Sequence, residues 1–180
     1  MSVVALNRVT YIVQGEFRVS CNPEEQFSTI LGSCVSVCLW DKDAAMGGMN
    51  HFLLPGGPEG AGQSGSTRYG INSMEVLINA LLRMGARRHQ LEAKIFGGAR
   101  ISKNLRDVGA SNAEFARNFL IAEEIPCRAE SLGGTRARRV IFHPTTGQAR
   151  QLLVPDNAVI AARHDTQTKP AAGPESVTLF

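Results

Sequence analysis

Val35-Ser36-Val37-Cys38-Leu39-Trp40, followed by Asp41-Lys42-Asp43 and then by Gly48-Met49-Asn50-His51-Phe52-Leu53-Leu54, reads as a strand, a turn and a returning strand. The first run is rich in β-branched and aromatic residues and alternates in places, as a buried strand does. If the two runs pair as a hairpin, Cys34 begins one strand and His51 lies on its partner. An antiparallel pair brings such positions together despite their separation in sequence.

Working outward, Thr10 to Val19 predicts two short strands or one bulged strand around Gly15. Asn22-Pro23-Glu24-Glu25 is a turn. Pro55 to Thr67 is rich in Gly, Pro and Ser and predicts a mobile surface loop. Met74, Leu77, Ile78, Leu81 and Leu82 carry the helical repeat, which predicts a helix over Ser73 to Met84 that Gly85 stops. Leu91 to Phe96 predicts a strand. Ser111-Asn112-Ala113-Glu114 matches a capping box that opens a second helix, with Phe115, Phe119 and Leu120 on its apolar face. Ile125 to Leu132, Arg139 to His143 and Gln151 to Val154 are further strand candidates. Short strands with few βαβ alternations predict an α+β class, a layered α/β sandwich of mainly antiparallel strands with two principal helices. One globular domain is expected over residues 1–162. A disordered polar tail is expected over 163–180, its end at Val177 to Phe180 either loose or a docking peptide.

Composition narrows the function. The chain has 180 residues, 43% hydrophobic and 19% charged, enough for a sizeable core. A net charge of +3 and the lack of an aromatic-basic patch argue against nucleic-acid binding. No apolar run is long enough to insert in a membrane, and no secretory signal is read, so a cytoplasmic protein is expected. The four cysteines, Cys21, Cys34, Cys38 and Cys127, lack the spacing of a zinc site, and neither a metal nor a cofactor is expected. Gly97-Gly98 and Gly133-Gly134 lack the strand-then-helix context of a phosphate loop.

Cys34 follows Leu31-Gly32-Ser33, and His51 follows Gly47-Gly48-Met49-Asn50. Small residues around a thiol leave room for a carbonyl and free backbone N–H groups for a developing oxyanion. A nearby imidazole can take the thiol proton and return it to a leaving group. Those features suggest thiol-based acyl transfer or amide hydrolysis. The competing reading is that Cys34 fills space and His51 is a satisfied strand residue. Cys38, Cys21 and Cys127 read as structural. Ser28, Thr29, Ser33 and Asn50 are all close enough in sequence to orient the imidazole, and spacing alone does not choose among them. Arg136, Arg138 and Arg139 read as a solvated basic strand edge.

Five separated motifs resemble the chemoreceptor glutamine deamidases (CheD): Leu31-Gly32-Ser33-Cys34-Val35, Asn50-His51-Phe52-Leu53-Leu54-Pro55, Arg68-Tyr69-Gly70, Leu91-Glu92-Ala93-Lys94-Ile95-Phe96-Gly97-Gly98-Ala99, and Gly133-Gly134 with Arg138-Arg139-Val140. They run in order from about Phe17 to Val154. The resemblance implies hydrolysis of receptor glutamine side chains to glutamate and ammonia. It implies Cys34 as the nucleophile and His51 as its base. The family's third residue is a hydroxyl six positions before the cysteine, here Ser28, with Thr29 beside it. The resemblance also implies a layered α/β sandwich similar to the deamidase domain of a cytotoxic necrotizing toxin. The implied partners are methyl-accepting chemotaxis receptors as substrate and, for some members, a CheC-type phosphatase. The alternatives to weigh are a non-catalytic chemotaxis adaptor and a cysteine protease or transglutaminase-like enzyme using the same pair.

Overall fold

Strand β4 (Val35–Asp41) is buried at all seven of its positions, so both of its faces need an apolar partner. Alternation supplies them. Val35, Val37 and Leu39 enter a core shared with two helices, whereas Cys38 and Trp40 enter a second core facing another sheet. The computed structural model describes residues 8–55, 63–101, 107–155 and 177–180 of the chain.

β4 pairs antiparallel with β5 (Met46–Asn50) and with β6 (Leu91–Gly97). β2 (Phe17–Ser20) extends this sheet beyond β5, and β7 (Cys127–Leu132) extends it beyond β6. The second sheet has the order β1 (Arg8–Tyr11), β3 (Glu25–Leu31), β8 (Arg138–Phe142), β9 (Ala149–Leu153), β10 (Val177–Leu179). Pairing is parallel between β1 and β3 and between β6 and β7 and antiparallel in the other ladders, so the expected α+β sandwich is what forms. Helices α1 (Gln63–Met84) and α2 (Val108–Ala122) cover the outer face of the first sheet through Met74, Leu77, Leu81, Ala113, Ala116 and Leu120. Among the described residues, no helix is long and apolar enough to cross a membrane.

The hairpin forms where the sequence places it. Asp41 Oδ1 accepts the amides of Asp43 and Ala44 at 3.0 and 2.9 Å and closes the turn. α1 ends as expected at Gly85, where φ is +108° and the amides of Gly85 and Ala86 return to Leu82 and Leu81.

Other expectations need correction. α1 begins at Gln63, ten residues ahead of Ser73, so the end of the expected Pro55–Thr67 loop is helical. The central part of that loop lies outside the described residues. α2 is capped by Asp107, whose carboxylate accepts the Ala110 amide at 3.0 Å, so the helix starts before the Ser111 capping box. Of the two alternatives expected for Thr10 to Val19, two short strands form rather than one bulged strand, and they lie in different sheets, joined by a turn at Val13–Glu16. β3 corresponds to no strand expected from sequence, because its polar Gln26, Ser28 and Thr29 mask an alternation in which Phe27 and Leu31 face the core.

The tail also differs from expectation at its end. Residues 163–176 lie outside the described residues, but Val177–Leu179 pair with β9. Phe180 packs edge-on against Phe96, with centroids 5.5 Å apart. The buried Lys94 ammonium donates to the main-chain oxygens of Gly147 at 2.7 Å and Phe180 at 2.8 Å. A buried ammonium needs such acceptors. Removing residues 177–180 strips one acceptor and one aromatic contact, and should lower the unfolding free energy by about 2–4 kcal/mol. Urea denaturation checks this, and an unchanged midpoint would show that the chain end is not part of the core.

Candidate active site

The hairpin register decides which side chains meet. Cys38 opposes Met49, and Val35 and Phe52 exchange hydrogen bonds at 3.0 and 2.9 Å. His51 therefore sits across from Ser36, just past the end of β5. Cys34, just ahead of β4, lies one diagonal step away on the same face. That face is the one toward the second sheet, because Met49 and Cys38 belong to the inter-sheet core and Cys34 packs against it.

The second sheet supplies the group that orients the imidazole. His51 Nδ1 lies 2.8 Å from Thr29 Oγ1, and Thr29 Oγ1 donates to the Ile12 carbonyl at 2.7 Å. A hydroxyl has one proton, and a carbonyl can only accept, so Thr29 spends its proton on Ile12. Thr29 Oγ1 must then accept a proton carried on Nδ1. The neutral imidazole is thereby held with a bare lone pair on Nε2. Nε2 is buried and has no hydrogen-bond partner among the described residues. Burial holds His51 below the ordinary imidazole range, with contact to the Ile12 carbonyl opposing it.

Of the two hydroxyls left open, Ser28 and Thr29, it is Thr29, five positions before Cys34, that meets the imidazole. Successive side chains on a strand alternate, and Phe27, Thr29 and Leu31 point between the sheets. Ser28 points to the other face of β3. Asn50 also drops out. It faces the helices, where its carboxamide accepts the Val37 amide at 2.9 Å and donates to Ser73.

The segment before Cys34 is clamped through its carbonyls. Gly32 O accepts from the Ala99 amide at 2.8 Å, Ser33 O from Asn112 Nδ2 at 2.8 Å, and Cys34 O from the Gly98 amide at 2.8 Å. In a trans peptide the C=O and the following N–H point opposite ways. The amides of Ser33 and Cys34 are consequently turned away from these clamps, and no backbone acceptor among the described residues engages either. They are available as a pair of oxyanion donors. The Cys34 thiol is partly exposed and donates to Gln14 Oε1 at 3.6 Å. Burial pushes this thiol up, and its own backbone N–H pulls the other way.

Gly97 makes the clamp possible. Its φ is +113°, and a side chain there would collide with the Cys34 carbonyl. Behind it, Gly133 N–H donates to Gly97 O at 2.9 Å. Arg138 holds that layer by donating to Ser131 O, Ser131 Oγ and Gly133 O. Arg138 is buried, which corrects its expected place on a solvated strand edge. Asn112 ties the two halves of the site, since its Oδ1 accepts the Leu54 amide at 2.9 Å while its Nδ2 holds Ser33. A cleft of about 270 Å³ beyond this loop is lined by Gly98, Arg100, Asp107, Arg117 and Gly133, and neither Cys34 nor His51 lines it.

Sequence reasoning missed Ile12, Gln14 and Asn112. Ile12 acts through its backbone, which no side-chain pattern reports. Gln14 and Asn112 come from segments remote in sequence from the hairpin. The Gly97-Gly98 pair was the available signal for a close backbone approach. Tyr69, from the Arg68-Tyr69-Gly70 motif, places its hydroxyl beside Gly15.

The family model described as CheD chemotactic sensory transduction matches residues 53–151. The chain is 46% identical to the probable chemoreceptor glutamine deamidase CheD 1 of Ruegeria sp. (strain TM1040), covering 100% of both chains. It is 52% identical to the probable chemoreceptor glutamine deamidase CheD of Acidiphilium cryptum (strain JF-5), covering 94% of this chain and 92% of that one. Among solved structures, the Bacillus licheniformis hypothetical protein YfiH aligns over 71% of this chain and 60% of its own, at 16% identity and a TM-score of 0.42. With close relatives matched across nearly their whole length and a family model spanning more than half of the chain, this protein belongs to the CheD family.

Proposed function

We propose that this protein hydrolyses glutamine side-chain amides on chemotaxis receptors to glutamate and ammonia, with Cys34 as nucleophile, His51 as base and Thr29 as the group that orients the imidazole. The observation that carries the reading is the chain from Ile12 O through Thr29 Oγ1 to His51 Nδ1, which leaves Nε2 bare on the face that holds Cys34. Relatives over nearly the whole chain are named as chemoreceptor glutamine deamidases, which supports the substrate. Action on the cytoplasmic segments of receptors would place the protein in the cytoplasm. A CheC-type phosphatase is the further partner that the family resemblance implies.

The reaction starts from a neutral pair. Burial disfavours both the thiolate and the imidazolium, so the proton moves from Sγ to Nε2 as the sulfur attacks, rather than beforehand. The new S–C bond forms at the substrate Cδ, and its oxygen becomes an oxyanion held by the Ser33 and Cys34 amides. Collapse breaks the C–N bond. His51 gives the proton to the departing nitrogen, and ammonia leaves. Water, deprotonated by His51, then cleaves the thioester, returns the thiol and leaves a glutamate carboxylate. Clamping of residues 32–34 by Gly98, Ala99 and Asn112 holds the attacking atom and the oxyanion donors in one rigid unit.

Cys34→Ala should fold normally by circular dichroism and release no ammonia from receptor cytoplasmic fragments; residual turnover would exclude Cys34 as the nucleophile. The two hydroxyls separate cleanly. Thr29→Ala removes a hydrogen bond to a group that becomes charged, and should lower kcat about 10- to 100-fold. Ser28→Ala should stay within about twofold of wild type, because Ser28 lies on the other face of β3. Equal losses in both would remove Thr29 from its assigned role.

The pH dependence follows from the two shifts. Burial delays ionisation of Cys34, so its alkylation by iodoacetamide should rise with pH to a midpoint above that of an ordinary thiol, about 8.5. Burial also delays protonation of His51, so the acid limb of kcat/KM should fall below about pH 6.5. An alkylation midpoint in the acid range would instead reveal a preformed thiolate–imidazolium pair.

A further inference from the structure

The link between β1 and β2 crosses from one sheet to the other over the open end of the site. It turns at Val13–Glu16, closed by Glu16 N–H to Val13 O at 3.0 Å, with Gly15 at φ +87°. Two adjacent residues of this turn are tied to the backbone of the candidate base. Gly15 N–H donates to His51 O at 2.8 Å, and His51 N–H donates to Glu16 O at 3.0 Å. The turn is therefore held in register with the imidazole. Its tip residue, Gln14, lays its carboxamide on the thiol, with Oε1 3.6 Å from Cys34 Sγ. A side chain with a hydrogen-bond acceptor thus stands where the reacting amide must arrive, on a segment anchored to the catalytic histidine.

We propose that Gln14 is a substrate-binding residue that selects carboxamide over carboxylate, an inference that rests on the deamidase reading. Attack at Cδ leaves the substrate nitrogen two bonds from Sγ, within reach of the group that now touches the sulfur. The substrate oxygen is taken by the Ser33 and Cys34 amides, and the proton for the leaving group comes from His51. Neither of these satisfies the N–H bonds that the substrate nitrogen already carries. Gln14 Oε1 does, because a carboxamide oxygen accepts two hydrogen bonds and takes the substrate N–H while the thiol still donates to it. A glutamate carboxylate has no N–H to offer and sets a charged oxygen against Oε1. The same contact that receives the substrate therefore expels the product, and a site built to hydrogen-bond a donor rejects analogues that lack it.

The test uses the full chain and a receptor cytoplasmic fragment as substrate, with the same fragment carrying glutamate at the converted positions as product inhibitor. Gln14→Met keeps the length of the side chain and removes the acceptor. It should raise KM about five- to tenfold with kcat little changed. The ratio of product Ki to substrate KM should fall by a similar factor, a readout that a structural role for an exposed side chain does not move. Gln14→Glu keeps an acceptor oxygen and should hold the wild-type KM. A wild-type KM and Ki in Gln14→Met, or a KM raised equally in both variants, would overturn the inference while leaving the deamidase reading intact. Failure of the wild-type protein to release ammonia would overturn both.

Discussion

Strand β4 lies between two cores, and both require it dry. Its outer face is covered by α1 and α2, and its inner face by the second sheet. A strand desolvated on both sides must have its ladder hydrogen bonds filled by neighbours, which here are β5 and β6. Its hairpin turn is closed by Asp41 at one end, so its opposite end is where the chain leaves the sheet. Cys34 and His51 stand at that exit. The fully buried strand thereby sets the place at which the candidate chemistry sits, at its open end.

That open end is a candidate active site because each layer contributes a part of it. The first sheet brings the thiol and the imidazole to one face. The second sheet brings Thr29, whose single hydroxyl proton is committed to the Ile12 carbonyl. That commitment fixes the tautomer of His51 and leaves Nε2 as an acceptor. The helical layer brings Asn112, which holds Ser33 O and the Leu54 amide together. Burial of the imidazole has a cost in solvation, and it keeps the base neutral and ready to accept a proton. A proton-transfer mechanism follows from this arrangement more naturally than a resting ion pair.

The loop that carries Cys34 gains its precision from backbone rather than side chains. Three consecutive carbonyls are each captured by a donor. Trans geometry then turns the Ser33 and Cys34 amides away from those clamps. Gly97 permits the approach by having no side chain, and Arg138 stiffens the layer behind it from a buried position. Arg138 would look like surface charge in any composition-based reading. Its burial is repaid by main-chain acceptors that come from β7 and the turn after it.

Much of this was legible in the sequence. The Val35–Trp40 run and the turn at Asp41-Lys42-Asp43 specify the hairpin by local propensity, and the hairpin alone places Cys34 and His51 on one face through its period of two. The helical repeat from Met74 to Leu82 identifies the principal helix and its buried side. The choice of Thr29 over Ser28 was not legible, because it depends on which face of β3 points inward, and β3 is a polar strand whose register comes from pairing with β8 across more than a hundred residues. Nor was the role of Gln14, which depends on β1 and β2 joining different sheets. The sequence by itself determined that Cys34 and His51 share one face, since hairpins are built from neighbours in the chain. Only the tertiary structure decided which groups orient, clamp and face that pair, since these come from the other sheet and from the helices, and distant segments meet only when the layers pack.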